Sequence, residues 1–192
     1  MVNYNGDFLC IDELEALNFG SLGKNVLIHK TAVLINCENI RISDRVRIDA
    51  FTVLSVASGL YIGKNVHIGS HCSLLGSSEI SIGDFAGLSH GVRVFSANDD
   101  YTGIAMTNPT VPQRFRQTHS SPVTIGRHAI IGSNCVVLPG TNVHEGAAIG
   151  ALSFVRGTLP EWTIYAGTPL RRIRERARTP LELEKSYLSE ER

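Results

Sequence analysis

Aliphatic residues recur at every sixth position through most of this chain, and few folds can absorb such a period. Set out in rows of twenty from Leu22, the sequence places Leu22, Ile28 and Leu34 in the first row and Ile42, Ile48 and Leu54 in the second. Ile62, Ile68 and Leu74 follow in the third row, then Ile82, Leu88 and Val94 in the fourth. After a break the register resumes with Ile125, Ile131, Val137, Val143, Ile149 and Val155. A second column runs two residues ahead of the first: Val26, Ala32, Val46, Thr52, Val66, Cys72, Ala86, Val92, Ala129, Cys135, Thr141, Ala147 and Ser153. All of these are small or β-branched. Residues two apart in an extended segment share a face, so both columns fill one interior. A period of six is neither helical nor that of a hairpin. It fits a short strand and a corner, repeated three times per coil to wind a triangular prism. Asn25, Asp44, Asn65, Asp84 and Asn134 fall near the corners, where residues tolerant of a left-handed backbone are expected. A β-sandwich of short strands is the competing reading, but sandwiches do not hold a six-residue register for this length.

The chain of 192 residues carries 18 Lys+Arg and 18 Asp+Glu. No overall field therefore favours nucleic acid or an anionic membrane. Cys10, Cys37, Cys72 and Cys135 lie far apart with no C-x-x-C pair, which argues against a zinc ribbon and for a reducing compartment. The N-terminus has no basic stretch leading into an apolar run, and no apolar run reaches about 18 residues. A cytoplasmic protein that neither enters nor crosses a membrane is expected.

The two columns resemble those of the hexapeptide-repeat acyltransferases, and the likeness covers about three-quarters of the chain. It implies a left-handed parallel β-helix, the handedness coming from the family and not from the period. It also implies a homotrimer with active sites between subunits. The expected organisation is an N-terminal segment over 1–21, a β-helix over 22–160 with a protruding loop at 96–123, and a C-terminal segment over 161–192. The loop holds Pro109, Pro112 and Pro122 and breaks the repeat where this family extrudes its catalytic loop. The tail stretch Ala166–Ile173, AGTPLRRI, is similar to the A-G-x-P-A-K-x-I segment of sugar acetyltransferases, with Leu170 in place of the usual Ala. Arg171, Arg172, Arg174, Arg176 and Arg178 follow, a concentration of charge suited to the phosphates of coenzyme A. Thr179-Pro180-Leu181-Glu182 reads as a capped helix start, with a short C-terminal α-helix to about Ser189. Leu181, Leu183, Tyr187 and Leu188 are expected to pack.

By similarity to the galactoside and xenobiotic acetyltransferases, Ser133, Ala151, Arg156, Gly157, Arg171 and Arg174 fall at positions that contact acetyl-CoA, the expected cosubstrate. Those relatives carry a catalytic histidine just after the fourth coil, where this chain has Asp99. An unperturbed Asp, with a pKa near about 4, is a poor base for an alcohol at roughly 15.7. An amine titrating near about 8 is already partly neutral at pH 7 and needs mainly orientation and a proton acceptor. The Asp99/Asp100 pair therefore favours an amino group over a hydroxyl as acceptor. His90 and His119 are the rival bases, while Cys72 and Cys135 stand in the inward column and are structural.

The loop and tail most resemble acetyltransferases that modify sugars for bacterial surface polysaccharides. That likeness implies a deoxy-amino sugar, free or nucleotide-linked, positioned by Asn98, Asp100 and Tyr101, with Arg114 and Arg116 meeting a diphosphate. Sugar O-acetylation remains the alternative. Two readings of other classes are a carbonic anhydrase-like zinc protein built on His67, His71 and His90, and a non-catalytic assembly subunit. The spacing of those histidines does not reproduce the anhydrase motif, so no metal is expected.

Overall fold

The computed structural model describes residues 7–190, and it is a left-handed parallel β-helix. Three parallel sheets form its sides. The first runs Ser21–Leu22, Ile40–Ile42, Leu60–Ile62, Ile80–Ile82, Val123–Ile125, Asn142–Val143 and Thr158–Leu159. The second begins at Leu27–Ile28 and continues through Arg47–Ile48, His67–Ile68, Gly87–Leu88, Ile130–Ile131, Ala148–Ile149 and Thr163–Ala166. The third holds Val33–Ile35, Val53–Val56, Ser73–Gly76, Arg93–Phe95, Val136–Val137 and Phe154–Val155.

Registers show why the period of six folds this way. Ile42 stacks on Ile62, then on Ile82 and Ile125. Ile48 stacks on Ile68, and Leu54 on Leu74. The aliphatic column is buried throughout except at Leu22 and Leu34 in the open first coil. Burying a Leu or Ile side chain contributes roughly 1.5–3 kcal/mol, so the column is the main source of stability. The polar members of the small column satisfy themselves on corner carbonyls. Thr52 Oγ1 donates to the Gly69 carbonyl at 3.1 Å, and Ser153 Oγ to that of Gly150 at 2.7 Å. Hydroxyls paired in this way regain inside the protein the hydrogen bonds they give up to water.

The corners differ in part from expectation. Asn25, Asn65 and Asn134 do adopt the left-handed region, with φ of 56°, 56° and 58°. Asp44 and Asp84 do not; the residues after them, Arg45 and Phe85, take it instead at 57° and 59°. The two carboxylates have another task. Each accepts the backbone N–H of a lysine one coil earlier, Lys24 onto Asp44 at 2.8 Å and Lys64 onto Asp84 at 2.7 Å. One glycine is required by close approach: at Gly76 (φ 143°) a Cβ would collide with Ser96 Oγ, at the corner where the loop departs.

Both ends of the prism carry elements beyond those expected. Helix α1 (Ile11–Ala16), started by the Cys10 N–H on Glu13 Oε2 at 2.7 Å, places Leu14 in the core beside the first coil. At the other end, the arginine-rich stretch is a strand, Arg171–Glu175, antiparallel to Thr163–Ala166. Helix α2 (Thr179–Glu190) then runs back along the corner between the first and second sheets. Its 12 residues span about 18 Å, close to four strand spacings of about 4.8 Å. The expected packing of α2 needs correction. Tyr187 does pack, edge-on to Phe85, but Leu183 and Leu188 are exposed and the buried residue is Glu184. Glu184 meets Arg127 and lies 2.7 Å from His128 Nε2. Among the described residues no helix is long and apolar enough to cross a membrane.

Candidate active site

The loop leaves the fourth coil as a two-stranded antiparallel stem, Ala97–Asp99 against Thr118–Ser120. Two adjacent aspartates at its end have different surroundings. Asp100 has a fully buried side chain that accepts five hydrogen bonds. Oδ1 takes the N–H and hydroxyl of Thr102 (2.9 and 2.6 Å), and Oδ2 takes the N–H groups of Gly103, Ile104 and Ala105 (3.0, 2.9 and 3.1 Å). The Thr102 hydroxyl first, and the backbone donors with it, hold this carboxyl far below the usual range. Five donors exhaust the lone pairs of a carboxylate. The expected role of Asp100 on substrate is therefore corrected: it anchors the loop.

Asp99 is half-buried and carries one such bond, from the Asn108 N–H to Oδ2 at 3.2 Å. It lines a groove of about 600 Å³ between the stem and the third sheet, together with Asn98, Tyr101, Phe95, Val136, Leu138 and Phe154. A second groove of about 630 Å³ lies at the end of the prism, lined by Arg156, Thr158, Tyr165, Leu170 and Arg172. Phe154 stands in the wall of both. The two hollows thus adjoin one residue, the first holding a carboxylate and the second two guanidinium groups.

The remaining expected residues are scattered. Arg114 and Arg116 share a separate hollow of about 680 Å³ on the outer loop with Met106 and Phe115. The Arg116 Nε there is buried without a partner. Ser133 and Ala151 stack in successive coils at the corner between the second and third sheets, where the Leu152 N–H reaches the Ser133 carbonyl at 2.9 Å. Gly157 follows Arg156 with φ 79°. Arg171 and Arg174 lie exposed on the terminal strand and line neither groove, whereas Arg172 does. Arg172, named only as one of five arginines, pairs opposite Tyr165 and Arg174 opposite Ile164; a β-bulge between the two pairs breaks the alternation that would otherwise put both side chains on one face. Two of the five arginines are structural. Arg176 donates to the carbonyls of His128 and Gly146 (2.8 and 2.9 Å), and Arg178 pairs with Glu161 at 3.0 Å.

Neither histidine is placed as a base. His90 Nδ1 accepts the Ser70 N–H at 3.1 Å, so the neutral ring carries its proton on Nε2 and its basic lone pair is occupied. His119 pairs with Asn98 across the stem, whereas Asp99 pairs with Thr118. Alternation sends Asp99 and His119 to opposite faces, and His119 Nε2 lies 3.9 Å from the anchored Asp100. His67 is engaged by Asp49 at 2.7 Å. Among the described residues no three His, Cys, Asp or Glu side chains gather as a metal ion would require. Burial pushes the Cys72 thiol up to about 11, and Cys135 is raised likewise.

Known proteins share this architecture. No protein-family model matches the chain. It is 41% identical, over 91% of its length and 92% of the relative's, to the dTDP-4-amino-4,6-dideoxy-D-glucose acyltransferase of Escherichia coli. To the galactoside O-acetyltransferase of Escherichia coli it is 29% identical over 63% of this chain and 56% of that protein. The fold superposes on AntD, an N-acyltransferase from Bacillus cereus, in complex with dTDP and 3-hydroxybutyryl-CoA. That match has a TM-score of 0.92 and 38% identity, covering 96% of this chain and 97% of AntD. A serine variant of AntD in complex with dTDP-4-amino-4,6-dideoxyglucose and coenzyme A superposes with a TM-score of 0.93 and 37% identity, covering 96% and 98% of the two chains.

Proposed function

The chain belongs to the sugar acyltransferases of the hexapeptide-repeat family, and from there we propose that it moves a short acyl group from acyl-CoA to the amine of a dTDP-linked 4-amino-4,6-dideoxy sugar. The observation that carries this reading is the pair of grooves that share Phe154, with Asp99 in one and Arg156 and Arg172 in the other. A thioester donor with a phosphorylated tail needs cationic groups at a distance from the reacting carbon, and an amine acceptor needs a carboxylate beside it. Both substrates named for the relatives have this chemistry.

In this reading the acceptor nitrogen attacks the thioester carbonyl directly. The C–N bond forms, the C–S bond breaks, and the thiolate leaves with the electron pair of the broken bond. Asp99 Oδ1, which has no hydrogen-bond partner among the described residues, orients the amine and receives its surplus proton. An amine needs no stronger base, whereas a hydroxyl would. Asn98 and Tyr101 border the sugar, and Arg114 and Arg116 meet the diphosphate. Ser133, Ala151 and Gly157 flank the donor's path, with Arg171 and Arg174 as outer charges. Acetyl is the first acyl group to test, and the 3-hydroxybutyryl-CoA bound by AntD sets the next.

The loop displays Tyr101, Ile104, Met106 and Phe115 at 89%, 77%, 56% and 50% exposure. Apolar side chains so presented suit burial against a neighbouring subunit, which supports a homotrimer with the acceptor site completed between subunits. A nucleotide-linked acceptor and a CoA donor support a reaction in the cytoplasm, on the way to a surface polysaccharide. The test is thiol release from acetyl-CoA with dTDP-sugars bearing either an amine or a hydroxyl at carbon 4. Turnover confined to the amine supports the reading, and equal turnover of the hydroxyl sugar establishes O-acylation instead.

A further inference from the structure

The loop folds back on the carboxylate it introduces. Asn108 sits nine residues after Asp99 and donates its backbone N–H to Oδ2 at 3.2 Å. Its backbone is left-handed, with φ 68°. That conformation is stabilised locally, because the Asn108 side-chain oxygen accepts the Thr110 N–H at 3.1 Å and the Thr110 hydroxyl at 2.5 Å. Fixed points lie on either side. Upstream, Asp100 gathers Thr102 to Ala105 into its five-donor knot. Met106 then bonds to the Phe115 carbonyl at 2.9 Å. The segment between Asp100 and Asn108 is thus held closely enough to present one N–H to one carboxylate oxygen.

Resting on the assignment of Asp99 made above, we propose that Asn108 is a positioning residue for the acyl transfer. The torsion that orients a carboxylate is broad, so an Asp side chain on a strand end does not by itself hold its plane toward the acceptor. The Asn108 N–H fixes that plane by binding one oxygen, Oδ2, and leaving the other, Oδ1, for the amine. The side chain of Asn108 serves by supporting the left-handed turn that aims its own N–H. Asn tolerates this backbone and a β-branched residue does not.

The test compares Asn108→Gly, Asn108→Val and Asp99→Asn with the double variant Asp99→Asn/Asn108→Val, measuring kcat, both KM values and thermal midpoints. Glycine keeps the N–H and the backbone conformation, and its kcat stays at a third of wild type or more. Valine lowers kcat by about tenfold or more, equivalent to about 1.4 kcal/mol of transition-state stabilisation, with the acyl-CoA KM unchanged. In the Asp99→Asn background the same valine brings no further loss, since it acts through Asp99. Asn108→Ala replaces valine if the latter fails to fold. Wild-type kcat in the valine or alanine variant overturns the proposal, as does a loss that persists undiminished without the Asp99 carboxylate. Full activity of Asp99→Asn alone overturns the assignment of Asp99 itself, a distinct result.

Discussion

Replacing Glu184 by Gln tests how the C-terminal helix is fastened to the coils. The Glu184 side chain is 7% exposed, touches Arg127, and lies 2.7 Å from the Nε2 of His128, itself 8% exposed. Gln keeps the shape and removes the charge. Each charge-assisted bond contributes about 1.5–3 kcal/mol. Arg127 is 40% exposed, so solvent screens that partner, and Gln retains a neutral hydrogen bond. A net loss of about 2 kcal/mol follows, which lowers the melting temperature of a chain this long by about 4–8 °C. Burial, the largest influence on Glu184, pushes its pKa up, but the bonds from Arg127 and His128 outweigh it and the net direction is down. A carboxyl whose folded-state pKa is depressed contributes fully above its unfolded value of about 4.3 and loses that contribution as pH falls through the folded value. Thermal melts of both proteins from about pH 8 to about pH 3.5 should therefore show a gap that is widest at neutral pH and closes on acidification. No gap at neutral pH, or one that widens toward acid, would show that the Glu184 charge does not fasten the helix.

Other perturbations address the core, the thiols and the donor groove. Ile68→Ala removes a side chain with no exposed surface at the middle of its stack, and denaturant titration should show a loss of about 2–5 kcal/mol. Alkylation at neutral pH should modify the exposed Cys10 and spare Cys37, Cys72 and Cys135, which are buried with raised thiol pKa values. Activity should survive that treatment, since the mechanism uses no cysteine. Arg156→Ala and Arg172→Ala should each raise the acyl-CoA KM by about tenfold, the worth of about 1.4 kcal/mol, with kcat little changed. Arg174→Ala, which removes a side chain outside the groove, should raise it far less.

The interior was legible in the sequence because a solenoid core is nearly one-dimensional. Ile42 needs only to find Ile62, and that contact repeats at a fixed separation, so local period and packing coincide. Where partners lie outside the period, the sequence is silent. Glu184 reads as a solvent-facing helix residue until Arg127 and His128, 57 and 56 positions earlier, are folded beneath it. Arg176 and Arg178 read as part of a phosphate clamp, yet both lie over the Trp162 ring. Asp44 and Asp84 were visible as corner residues, but their bonds to the preceding coil place the left-handed backbone one residue later. The site shows the same division. Asp99 stood out by its place after the fourth coil, while Asp100 beside it looked equivalent, and only the loop's return path gives one aspartate five donors and the other one. The state of His90 lay within reach of the twenty-residue rows, which set Ser70 beside it.

The most direct measurement is a crystal structure with coenzyme A and a dTDP-4-amino-4,6-dideoxy sugar bound together. The sugar amine is expected within hydrogen-bond distance of Asp99 Oδ1, the thiol beside Phe154, and the coenzyme phosphates against Arg156 and Arg172. An amine seated against His90 or His119, or coenzyme A bound away from the Phe154 grooves, would contradict this placement.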